Sequence, residues 1–201
     1  MTRVAVTAVT NFLLAGEVLF LAGMTVAVPK RRFSAAWFWS GVLFLFGLGA
    51  LLGGIDHGFF EAASLQRYPI ERANWIELGA MTFYLLMSTA AQFFSPRARR
   101  RLLLVGIFQF AANTIVVLTV DSFLDVVLNY APVLLFVLVM HLRGPGSWPM
   151  IVGILIMVAA AAIQAAGLDA LSPLDHNGLY HVVCMIAAVF LYAAGLRLKT
   201  S

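Results

Sequence analysis

Long apolar runs, interrupted at short intervals by arginine, glycine and proline, fill the chain from end to end. About 20 apolar residues in a helix cross the hydrocarbon core of a bilayer. Seven runs reach or approach that length: Val4–Val28, Ala35–Phe60, Ala73–Phe94, Leu102–Val120, Phe123–Leu142, Trp148–Leu168 and Pro173–Leu196. The first, second and seventh are unambiguous. The fourth and fifth are separated only by the Asp121–Asp125 region, which therefore reads as a tight turn. The rival reading of that stretch is a single re-entrant hairpin.

The expected fold is all-α: one domain over residues 1–201, built as a seven-helix transmembrane bundle. Composition agrees, with 62% hydrophobic and only 11% charged residues, against about a quarter charged in soluble domains. Lipid is the implied solvent, in a multi-pass protein of a bacterial inner membrane or its equivalent. No cleavable signal peptide is expected, since the first run is long and only Arg3 precedes it.

The charges give a direction. Lys30, Arg31 and Arg32 follow helix 1, and Arg97, Arg99, Arg100 and Arg101 follow helix 3. Arg143 follows helix 5, and Arg197 and Lys199 follow helix 7, so ten of the thirteen basic residues fall at one end. Excess Lys and Arg mark cytoplasmic loops, which predicts an outside N-terminus and a cytoplasmic C-terminus. The net charge of +4 is then explained by loop anchoring, and nucleic acid is not an expected partner. Trp37, Trp39, Trp75 and Trp148 lie near predicted helix ends, as interfacial anchors do. Gly47, Gly49, Gly53 and Gly54 offer a small-residue face for close helix packing. Cys184 lies in an apolar run and reads as a packing residue. As the only cysteine, it excludes an internal disulfide.

The acids occupy the other end. Asp56, Glu61, Glu71, Glu77, Asp121, Asp125, Asp169 and Asp175 all belong there, and only Glu17 lies in mid-helix. His57, His176 and His181 share the acidic end, while His141 is at the basic one. At about 1.5 Å per residue, His57, Glu77 and His181 fall at similar depths and converge if helices 2, 3 and 7 are neighbours. Ser172-Pro173-Leu174-Asp175 reads as a capped helix start with serine as the cap, placing Asp175 and His176 in the first turn. His176 and His181 are about 140° apart on an ideal helix, so joint ligation of one metal requires unwinding near Gly178. Asn177 and His181 share a face. Three imidazoles and a water make a catalytic zinc site, in which a carboxylate such as Asp56 or Glu77 takes the proton of the metal-bound water.

A seven-helix chain with a histidine on helix 2, an acid near helix 3 and paired histidines on helix 7 resembles the CREST superfamily, which includes the alkaline ceramidases and the progestin and adipoQ receptors. The resemblance implies a zinc-dependent amidase acting on lipids, and a hydrolase site opening among apolar helices is expected to take a lipid amide or ester. His57, His176 and His181 would be metal ligands and Asp56 or Glu77 the acid. Gly53 stands where that group has a serine, and its helix 7 pair is separated by three residues rather than four.

Glu17 suggests a different class. A carboxylate at mid-membrane is costly and is expected to bond Gln164, Asn113 or Gln109, or to serve a small transporter or channel. Two histidines such as His57 and His181 could also ligate haem. A membrane sensor or assembly protein without chemistry is a further alternative. A retinal protein is excluded, because Lys30 and Lys199, the only lysines, lie at helix ends. Oligomeric state is not legible.

Overall fold

The computed structural model describes residues 3–60, 64–144, 147–169 and 174–201. Seven α-helices run through them: α1 Arg3–Ala27, α2 Ala35–Ile55, α3 Ser64–Phe93, α4 Pro96–Thr119, α5 Phe123–Leu142, α6 Trp148–Ala165 and α7 His176–Gly195. A π-helical segment, Asp56–Phe60, extends α2. Among the described residues all elements are helical. Six of the seven helices are long and apolar enough to cross a membrane, which makes this a multi-pass membrane protein. The turn after Thr119 occupies only residues 120–122, and α4 and α5 are both spanning-length. Two separate helices, rather than one short hairpin, thus occupy this stretch.

The exception is α3. Its 30 residues reach about 45 Å, but Glu71, Arg72 and Glu77 lower its hydropathy. It begins nine residues before the expected start at Ala73 and carries Pro69 inside. Arg72 is the reason the charged stretch can be helical. Its side chain is buried, and Nη1 donates to the carbonyls of Val117 and Val120, each at 3.0 Å. Nη2 pairs with Asp121. Tyr68 and Trp75 lie against the guanidinium, with 4.5 Å to either ring centroid. The end of α4, whose last carbonyls lack helical partners, is thus capped by an arginine from α3.

The helices close into a ring in the order α1, α2, α3, α5, α6, α7, with α7 returning to α1. Outside the ring, α4 packs on α3 and α5. Glycines set the closest approaches. A Cβ on Gly47 would lie 2.7 Å from Leu19, and one on Gly54 2.9 Å from Phe12, so the expected glycine face packs mainly on α1. Trp39 departs from the interfacial reading: it is fully buried and its indole donates to the Leu191 carbonyl at 2.9 Å. Trp75 is buried as well, under Arg72. Cys184 sits in an apolar cluster with Leu14, Val18 and Ala188.

The half of the ring near the basic loops is filled by Trp39, Leu43, Met150, Ile154 and Leu191. Its end is tied by backbone bonds from Arg31 to Thr200 and from Ala36 to Lys199. Removing Arg72 tests the clasp on α4. Arg72→Ala is expected to lower the unfolding free energy by about 2–3 kcal/mol, since charged-group hydrogen bonds and two carbonyl partners are lost. Asp121→Ala should cost less than about 1 kcal/mol, because that side chain is 80% exposed. Thermal unfolding in detergent reads both, and equal losses would contradict this assignment.

Candidate functional site

The ring is not filled at its acid-rich end. A cavity of about 350 Å³ opens there, because α3 and α7 do not pack against each other and α2 meets α7 only over a short stretch. The polar side chains that face it come from four helices and the π-helical segment: Asn11 from α1, Asp56 and His57 after α2, Glu71, Asn74 and Glu77 from α3, Gln164 from α6, and Asn177 and His181 from α7. Phe46, Trp75, Phe123 and Tyr180 supply aromatic wall.

Each side chain is placed by a local cause. In a regular helix, neighbours point about 100° apart. The wider π turn occurs where the adjacent Asp56 and His57 both meet the cavity. Asp175 caps α7, accepting from the Gly178 N–H at 2.7 Å. The Thr7 hydroxyl donates to the same carboxylate, at 3.1 Å to either oxygen. One turn further along α1, Thr10 Oγ1 lies 2.9 Å from His181 Nδ1. Two threonines of α1 therefore fix the start and rotation of α7, and with it His181. Asn177 is tied to Gln164 at 3.0 Å.

Glu77 is different. Only 6% of it is exposed, and neither carboxylate oxygen has a hydrogen-bond partner. Oε2 lies over the bare Cα of Gly49, where a Cβ would stand 2.5 Å away. Glycine at this position leaves room for the carboxylate at the cavity wall.

The expected ligand set is brought together only in part. His57 and His181 share the cavity, with Asp56 and Glu77 also on its wall. His176 does not join them. Its backbone N–H and Nδ1 both bond Asp169 Oδ1, at 2.8 and 3.0 Å, so the side chain is held at the loop after α6. The helix begins at His176 with Asp175 as cap, rather than at the expected serine cap; Ser172 and Pro173 lie outside the described residues, as does Glu61. Gly178 is inside a regular helix, so no unwinding unites the two histidines. Among the described residues no group of three or more His, Cys, Asp or Glu is placed to hold a metal ion. The three-imidazole zinc arrangement is not formed.

Glu17 lies partly exposed on α1 and does not line the cavity. Its expected partners are engaged elsewhere: Gln164 with Asn177, and Gln109 with Asn129. Asn113 packs against Gly79.

A family model matches residues 6–200. The chain belongs to that family, DUF6962, a family of unknown function. No curated protein and no solved structure matches it. Membership of DUF6962 carries no activity with it, so the site has to be read from its own chemistry.

Sequence reasoning missed Asn11, Asn74, Glu71, Gln164 and Tyr180 as cavity residues. One signal was available: Thr7, Thr10 and Asn11 recur at helical spacing and put a polar stripe on one face of an otherwise apolar α1. Two glycines test the construction. Gly49→Ala displaces only the flexible tip of Glu77 and should change stability by less than about 1 kcal/mol. Gly47→Ala meets Leu19, including its backbone nitrogen at 3.0 Å, and should cost about 1–3 kcal/mol. Thermal unfolding that ranks them the other way would contradict the packing described.

Proposed function

We propose that this protein is a membrane-embedded binding protein whose cavity takes a small molecule bearing an ammonium group. One observation carries the reading: the buried Glu77 carboxyl on the cavity wall has no partner on either oxygen. Ionisable groups inside a membrane protein are costly and tend to mark ligand or ion sites. A cation bound against Glu77 offsets the cost of its ionised form. Asp56 and Glu71 add negative charge to the same wall, and Trp75, Phe46, Phe123 and Tyr180 offer ring faces to an ammonium. The amides of Asn11 and Asn74 can orient a polar remainder.

The apolar packing beyond the cavity favours a closed-ended binding site over a transport pathway. Ten basic residues gather at the opposite end. By the charge rule, the cavity then faces outward, with the N-terminus outside and the C-terminus cytoplasmic.

A second reading is hydrolysis of a lipid amide or ester in the same cavity. It is favoured by His57 and His181 on one wall with Asp56 beside them, two imidazoles suited to acid–base work. Zinc does not fit the described residues as a three-imidazole site, and no step is assigned to it.

The two readings separate in one set of titrations. Tetramethylammonium and short alkylamines should stabilise the purified protein saturably, and Glu77→Gln should weaken that effect by at least about tenfold, the loss of one charge-assisted contact. His57→Ala should weaken it less. Absence of saturable amine binding, or binding indifferent to Glu77→Gln, would sink the first reading. Turnover of a lipid amide or ester by the same preparation, lost on His57→Ala and on His181→Ala, would favour the second.

A further inference from the structure

A second cavity, of about 250 Å³, lies at the basic end. We propose that it binds a phosphate-bearing anion. Four polar residues from different parts of the ring line it: Gln92 near the end of α3, His141 near the end of α5, Ser147 ahead of α6, and Arg197 beyond α7. Met150 and Leu198 supply apolar wall.

The local chemistry is centred on a buried imidazole. His141 is only 2% exposed. Its Nδ1 lies 3.0 Å from Ser147 Oγ, and Phe93 meets the ring edge-to-face at 4.9 Å. Among the described residues Nε2 has no hydrogen-bond partner. When the Ser147 hydroxyl donates to Nδ1, the proton of the neutral imidazole is on Nε2, available to an acceptor. Because Ser147 is engaged with His141, it does not cap α6 with its side chain, and the first turn of that helix has no acid. The N-terminus of α6, with its partial positive charge, is therefore left without a side-chain acceptor. Arg197 stands over the Trp148 ring, 5.2 Å from the centroid, which restrains its guanidinium at the rim.

Charge points the same way. No acid of the chain belongs to this end, where ten basic residues gather in the loops and the first turns of α4. A planar guanidinium matches a phosphate with two parallel hydrogen bonds, and phosphate oxygens can accept from donors arriving from several helices at once. A membrane lipid headgroup and a free phosphate-bearing solute share this chemistry.

The test uses the full chain, purified in uncharged detergent, with thermal stability followed against three probes. These are dioctanoyl phosphatidic acid, inorganic phosphate, and dioctanoylglycerol, which lacks the phosphate. Saturable stabilisation by a phosphate probe but not by dioctanoylglycerol is expected. Phosphatidic acid alone would indicate a lipid headgroup, and inorganic phosphate acting comparably would indicate a free solute. Arg197→Gln and Ser147→Ala should each weaken the apparent affinity by about tenfold. Arg100→Gln, at the same end but outside the cavity, should leave it unchanged. The proposal is overturned if neither phosphate probe saturates. It is also overturned if Arg100→Gln is as damaging as Arg197→Gln, which would assign binding to the basic surface as a whole.

Discussion

Inside a bilayer core no water competes for a polar side chain, so each one must find its partner within the protein or face a cavity. Most of the buried polar residues here follow the first course. Thr82, Thr89 and Thr114 return their hydroxyls to carbonyls of their own helices. Ser88 reaches across to the Ala35 carbonyl at 2.9 Å, and Gln109 of α4 pairs with Asn129 of α5. Against that background the carboxyl of Glu77 is buried at a cavity wall with no partner on either oxygen.

The cavity itself is a product of ring closure. Contacts between α1 and α7, strengthened by Thr7 with Asp175 and Thr10 with His181, hold α7 at the side of α1 rather than against α3. The glycines of α2 draw α1 in closely. Toward the basic end the large side chains of Trp39, Met150 and Leu191 fill the space between the helices. Toward the acid-rich end the ring residues are polar and leave it open. One bundle thus carries an acidic, aromatic-walled recess at one end and a basic recess at the other, separated by packed apolar side chains. Acids meet a cation and bases an anion, so the two proposed sites are independent in chemistry and in position.

The transmembrane pattern was legible because hydropathy depends on the sum of many residues. Seven helices followed from it, six of them long and apolar enough to cross a membrane. The full extent of α3 was hidden, since Arg72 reads as a loop charge until the α4 carbonyls that bury it are seen. The π-helical turn at Asp56 leaves no mark in composition. Depth arithmetic brought His57, Glu77 and His181 to one level, and all three line one cavity. It could not reveal that α3 and α7 stand apart, nor that Asp169 holds His176 elsewhere. The tryptophans mislead for a related reason: Trp39 and Trp75 lie near the turns of the bundle yet are spent on internal contacts.

The most direct measurement is an infrared difference spectrum of the purified protein, taken on adding tetramethylammonium. If Glu77 is the counter-charge of the ligand, binding perturbs its carboxyl and carboxylate bands, and that signal disappears in Glu77→Gln while the remaining spectrum persists. A spectrum without any carboxyl change, or one identical in Glu77→Gln, would contradict the account.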